Sequence, residues 1–175
     1  AASPTDAASM TVRLASVVVG GAAEPWVALG FTVTSGGSIA FGNGAIELGC
    51  SPSGAVALRV DGVVDLAVDP AIDIDGVPLL AGRAAPATDH ANGCFELDHV
   101  VIMTRSIERT SAAIVEVLGL PQRRVRETAT VRQVFHRFDE RGCIVELVES
   151  ERVEHPTLWG LVVNTTDLDA FVAAA

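Results

Sequence analysis

The sequence predicts an α+β protein built from paired βαβββ modules, the first of them degenerate. Three observations predict it. Short apolar runs rich in β-branched residues recur between glycine-rich turns. Residues 106–118 carry apolar positions at helical spacing between a capping serine and a Gly-x-Pro stop. The element order of residues 11–62 then returns, with longer elements, in residues 95–165.

Taken in order, residues 1–10 are expected to be a flexible tail. They have neither the basic start nor the apolar centre of a secretory signal. Thr11 to Val19 reads as a strand. Ala22 to Leu29 reads as about two helical turns, with Pro25 tolerated in the first and Gly30 as the stop. Phe31 to Thr34, Ser38 to Phe41 and Ala45 to Gly49 read as three short strands, the last two joined by the hairpin signal Asn43-Gly44. Ala55 to Asp61 is a further strand. In 63–80, Asp65, Asp69, Asp73 and Asp75 punctuate apolar residues, and the alternation at 72–75 suggests a strand with a solvated face. Their spacing does not match a calcium loop. The first module with its extra strands therefore covers 11–82, and 83–94 reads as a linker.

Cys94 to Thr104 is a strand. Ser106 caps a helix whose apolar face is Ile107, Ile114, Val115 and Leu118, and Gly119 and Pro121 stop it. Gln122 to Glu127, Val131 to Phe138 and Cys143 to Glu149 are strands. Leu158 to Thr165 is a strand, and Asp167 to Ala175 begins a helix, so 95–175 holds a second module and the start of a following one.

A chain of 175 residues that is 49% hydrophobic can bury a real core. All 12 basic residues are arginine, which suggests a high-GC bacterial genome, and the net charge of -10 argues against a nucleic-acid partner. No run reaches the ~20 apolar residues of a membrane span. Three cysteines without Cys-x-x-Cys spacing fit free thiols in a cytoplasmic protein, with Cys50 and Cys143 expected buried and unreactive.

The stretch Glu96 to Glu146 places a histidine, His99, on its first strand and a glutamate, Glu146, on its last. If those strands are neighbours, imidazole and carboxylate face one pocket. The repeat supports that geometry. Leu14 to Val19 matches Leu97 to Ile102, Leu29-Gly30-Phe31 matches Leu118-Gly119-Leu120, Phe41 matches Phe138, and Ile46-Glu47-Leu48 matches Val145-Glu146-Leu147. Ser16 thus stands where His99 stands, and Glu47 where Glu146 stands.

At Leu97-Asp98-His99-Val100-Val101, the Leu-Gly-Leu ending at Leu120, and Val145-Glu146-Leu147, the sequence resembles the vicinal oxygen chelate superfamily, the fold of glyoxalases, bleomycin-resistance proteins and extradiol dioxygenases. Leu161 to Ala170 resembles the strand and helix start of that family's following module. The resemblance implies a cupped mixed β-sheet. It also implies one divalent metal (Fe, Mn, Zn or Ni), held by His or Glu from the first and last strands of paired modules. On that pattern the metal residues are His99, Glu146 and Glu47, with Glu146 or Glu47 moving a proton and Trp159, Phe138 and Ser16 beside the substrate. Pairing with the unfinished module leaves only His99 and Glu146, because Gly160 stands at the next histidine position. The departures at Ser16 and Gly160 put a metal-free branch that binds a small molecule in the cup slightly ahead of a metal-dependent lyase, isomerase or dioxygenase. The unfinished end implies a homodimer or a longer chain covering the sheet edge.

Other polar residues carry plainer readings. His136 alternates with Phe135 and is expected on the opposite face, at the surface or satisfied. His90 and His155 are expected solvated in turns. Arg123, Arg124 and Arg126 read first as a solvated strand edge and second as contacts for an anionic substrate.

Overall fold

The computed structural model describes residues 11–50, 54–63, 66 and 72–174, with the side chains of 50 and 174 outside the description. The expected tail, Asp65, Asp69 and the Cys50 side chain lie outside the described residues.

The elements are β1 (Arg13–Gly20), α1 (Glu24–Ala28), β2 (Ser38–Phe41), β3 (Gly44–Cys50), β4 (Gly54–Asp61), β5 (Asp73–Ile74), β6 (Val77–Ala81), β7 (Cys94–Thr104), α2 (Ile107–Leu118), β8 (Arg124–Glu127), β9 (Arg132–Arg137), β10 (Ile144–Glu149), β11 (Thr157–Thr165) and α3 (Leu168–Ala174). They form two mixed sheets, of six strands in the order β2-β3-β1-β4-β6-β5 and five in the order β11-β7-β10-β9-β8.

The second sheet follows the sequence closely. β7 lies parallel to β10, so the first and last strands of the module are neighbours. The helix expected at 106–118 forms as α2. Ser106 Oγ accepts from Arg109 N, and Gly119 adopts the left-handed conformation at φ 65° that a glycine enters without a Cβ clash. Ile107, Ile114 and Leu118 are buried, while Val115 stays exposed. α2 covers the face carrying Val100, Ile102, Val145 and Leu147, all fully buried. The opposite face, carrying His99, Val101, Ile144 and Glu146, is left open by the helix.

The first sheet repeats this plan with losses. β1 is parallel to β3, and β4 is antiparallel to β1 as β11 is to β7. The strand expected at Phe31 to Thr34 does not form. Its backbone is spent locally: Phe31 N donates to Trp26 O, and Thr34 N and Gly37 N close a turn with Ser38 O and Thr34 O. Phe31 itself is buried and meets Phe41 and Phe171 edge-on. α1 has five residues, so little of the helical cover is retained.

One hydrophobic core runs through both sheets, including Val17, Phe41 and Leu58 with Leu97, Ile102 and Val145. Asn43, in the hairpin turn, clamps the two: its side chain donates to Leu97 O at 2.8 Å and accepts from Leu97 N at 3.1 Å, as a paired strand would.

Two expectations in the connecting region fail. Asp75 is not on a solvated face. It sits in the β5–β6 turn at φ 52° and receives Thr110 Oγ1 at 2.6 Å and Arg109 Nε at 2.7 Å, tying the turn to α2. His90 is buried, not solvated. It packs edge-on against Phe31 and Phe41 and accepts from Thr32 N through Nδ1, and burial pushes its pKa down. A polar turn sequence concealed both, because tertiary packing covered the turns.

Candidate functional site

The site begins with a β-bulge. Along β7, Val162 of β11 faces His99 and Val163 faces Leu97, so Asp98 has no partner. Adjacent strand residues normally point to opposite faces; the extra residue breaks that rule. Leu97 and Val100 both enter the core, and Asp98 and His99 are left partly exposed together. Asp98 Oδ2 lies 2.7 Å from His99 Nδ1.

His99 Nε2 then lies 3.1 Å from Glu146 Oε2, with side-chain exposures of 23% and 9%. Gln133 of β9 donates to the other oxygen, Glu146 Oε1. A neutral imidazole carries a single N–H, so whichever ring nitrogen bears it, the other presents a lone pair to a carboxylate. Two acceptors at that separation need a proton or a cation between them. Asn164 of β11 donates to Glu96 and Asp98, fixing the carboxylate that orients the ring.

The first sheet holds the same frame. Leu14 faces Val60 and Ser16 faces Arg59, skipping Ala15, so the bulge recurs at the matching residue. Val18 stands beside Glu47 as Val101 stands beside Glu146. Ser16 Oγ donates to Glu47 Oε2 at 3.1 Å, where His99 meets Glu146 in the other sheet. Here the resemblance of the sites stops. Arg59 of β4 grips Glu47 through both oxygens, with Nε–Oε2 at 2.8 Å and Nη2–Oε1 at 3.0 Å, and its Nη1 donates to Ala81 O. The Arg59 guanidinium holds the Glu47 carboxyl below its ordinary pKa, against the opposing effect of partial burial. Gly82 makes this possible: a Cβ there would fall 2.1 Å from Arg59 Cγ.

His99 and Glu146 are therefore brought together, while Glu47 is held by Arg59 and Ser16. Among the described residues no group of three or more His, Cys, Asp or Glu side chains is arranged to hold a metal ion. Structural and catalytic zinc sites use three or four protein ligands. The described donor set, one imidazole and one carboxylate, falls short of that. Of the residues expected beside a substrate, Ser16 is buried against Glu47, Phe138 is in the core, and Trp159 projects from a bulge of β11 at 65% exposure.

His136 lies on the α2 side, fully buried. Its Nε2 is 2.9 Å from Ser111 Oγ and its Nδ1 2.8 Å from Leu120 O, and burial lowers its pKa. It is a satisfied core histidine. Cys94 and Cys143 are buried free thiols; burial pushes the Cys143 thiol up to about 12, which keeps it unreactive. Sequence reasoning missed Arg59, Gln133 and Asp98. Only Arg59 left a signal: it lies on the strand that follows the glutamate strand, in the first half of the repeat.

No protein-family model matches the sequence, and no curated protein does. Solved structures do. The chain is similar to 2,2',3-trihydroxybiphenyl 1,2-dioxygenase from Sphingomonas wittichii strain RW1, with TM-score 0.61 and 15% identity over 94% of this chain and 78% of that one. It is similar to BphC, a halotolerant catechol dioxygenase, with TM-score 0.60 and 12% identity over 93% and 72%. A methylmalonyl-CoA epimerase from Mycobacterium tuberculosis aligns over 46% of this chain and 62% of its own, at 17% identity and TM-score 0.41. The chain thus spans less than two thirds of that epimerase. The two dioxygenase likenesses, with the twofold recurrence of strand order and bulge, define the architecture: the chain has the vicinal oxygen chelate fold.

Proposed function

We propose that this protein binds a small organic molecule on the open face of the second sheet, at His99, Glu146 and Gln133. One observation carries the reading. Among the described residues Glu146 is a nearly buried carboxylate whose polar partners are a histidine and an amide, whereas its counterpart Glu47 is neutralised by Arg59. A buried acid without a fixed cation is the residue that a ligand's hydroxyl or amine can engage.

A second reading is a metal-dependent lyase, isomerase or dioxygenase acting on a substrate with neighbouring oxygens. It is favoured by the Asp98 contact, since metal-bound histidines commonly give their other ring nitrogen to a carboxylate. His99 and Glu146 would be its ligands within this chain. The two readings separate on metal content. The purified protein is incubated with Mn, Fe, Ni and Zn, desalted and assayed, with His99→Ala as control. The binding reading expects no stoichiometric metal. Stoichiometric metal lost in the variant overturns it.

The reading includes a cytoplasmic homodimer. β11 is the outer strand of its sheet, its nine residues carry no charge, and Trp159 and Val162 are exposed. Such an edge invites pairing. A monomer by light scattering at micromolar concentration counts against it.

A further inference from the structure

The open face carries more than Glu146 and His99. Residues directly opposite in neighbouring strands share a face. Glu146 faces Phe135, and Phe135 faces Arg124. Val148 faces Gln133, and Gln133 faces Arg126. Ile144 stands between His99 and Arg137. The Gln133–Glu146 hydrogen bond confirms that these rows lie on one side. Three arginines, Arg124, Arg126 and Arg137, therefore rise from the same face as the buried carboxylate. Phe135, Ile144 and Val148, each half-buried, lie between.

Among the described residues Arg124 and Arg126 make no ion pair, and the ion pairs of this sheet's arginines are those of Arg132, with Glu108 and Glu149. Arg137 gives one nitrogen to the carbonyl of Glu140. Protection of the edge strand would explain charge on β8. It does not explain two arginines placed on the side of Glu146. Two strand spacings separate β10 from β8, about 10 Å. A single ring with a short acidic arm bridges that distance.

We propose that the open face takes a small organic anion. Its acid group lies on Arg124 and Arg126, its ring or short acyl body covers Phe135, Ile144 and Val148, and its hydroxyl end reaches Glu146 and His99. The inference rests on the binding reading above and names the ligand class for that site. Carboxylate and phosphate share this recognition by paired guanidinium donors, and the test separates them.

Phenylpropionate, phenethyl phosphate and phenylpropionamide are titrated into the 175-residue protein by calorimetry, with amide chemical shifts followed in parallel. At least one anion should bind about tenfold tighter than the neutral amide, and the tighter of the two assigns the acid class. Combined Arg124→Gln and Arg126→Gln should erase the preference. Combined Arg124→Lys and Arg126→Lys should keep most of it, and Arg109→Gln, on α2 at the other face of the sheet, should leave it whole. If the amide shifts Phe135 and Val101 but no anion is preferred, or the preference survives the double glutamine variant, the anion site is wrong and the binding site stands. If no probe moves these residues, both are wrong.

Discussion

In the first sheet Glu47 ends on Arg59; in the second Glu146 ends on His99 and Gln133. The backbone beneath them is the same, down to a bulge one residue before Ser16 and before His99. What differs is the cation. In the first sheet it is a guanidinium supplied by the chain, admitted by Gly82. In the second, among the described residues, only the imidazole stands where such a cation would. A repeat can thus keep the geometry of a site while one copy becomes a structural ion pair and the other leaves its carboxylate to a histidine and an amide.

That comparison can be broken from the first side. Gly82→Ala should force Arg59 off Glu47 and cost about 2 kcal/mol in denaturant unfolding. In an Arg59→Ala background the same change should cost much less, since the clashing side chain is gone. Equal costs in both backgrounds would show that Gly82 serves something other than Arg59.

Charge removal comes next. Glu47→Gln should destabilise by about 1 kcal/mol, leaving Arg59 without its anion; the pair is partly exposed, so solvent keeps the loss at the low end. Acid should act through Glu47 in the same direction. Its folded pKa is depressed, so its contribution is present above the usual carboxylate value and is lost as pH falls through the folded value.

The second sheet carries its pH sensitivity in the core. His136 has a folded pKa below its ordinary value because burial disfavours the imidazolium. Between the folded value and about 6.5 the unfolded chain binds the extra proton, so stability falls as pH falls through that window. The slope is at most about 1.4 kcal/mol per pH unit for this residue. His136→Gln, measured across about pH 7.5 to 5, should flatten it; an unchanged slope would assign the sensitivity elsewhere, with buried His90 first in line.

The smallest expected effect sharpens the contrast most. Glu146→Gln should change stability by no more than about 0.5 kcal/mol, because Gln133 can still donate to the amide oxygen and a buried charge is removed. It should nevertheless abolish ligand binding at the open face. A large loss of stability would make Glu146 a structural residue like Glu47.

Much of the second module was legible because its signals are local. Ser106 and Gly119 bound a helix through contacts within a few residues, and Val100, Ile102, Val145 and Leu147 declare buried strands by composition. The repeat made His99 and Glu146 neighbours before any coordinates, because parallel first and last strands are a property of the module. The strand at Phe31 to Thr34 was misread because a β-rich composition cannot reveal that its backbone bonds close a turn instead. His90 and Asp75 were misread because burial of a polar turn depends on what packs over it.

The sequence alone determined the paired-module fold, the α2 boundaries and the His99–Glu146 pairing, since each follows from periodicity, capping and repetition within short spans. Only the tertiary structure decided which glutamate is free. That depends on Arg59 reaching across β1 to Glu47 past a glycine 23 residues further along, and on Arg124 and Arg126 sharing a face with Glu146. Charge neutralisation and facing are relations between distant strands, set by register, and no local pattern encodes them.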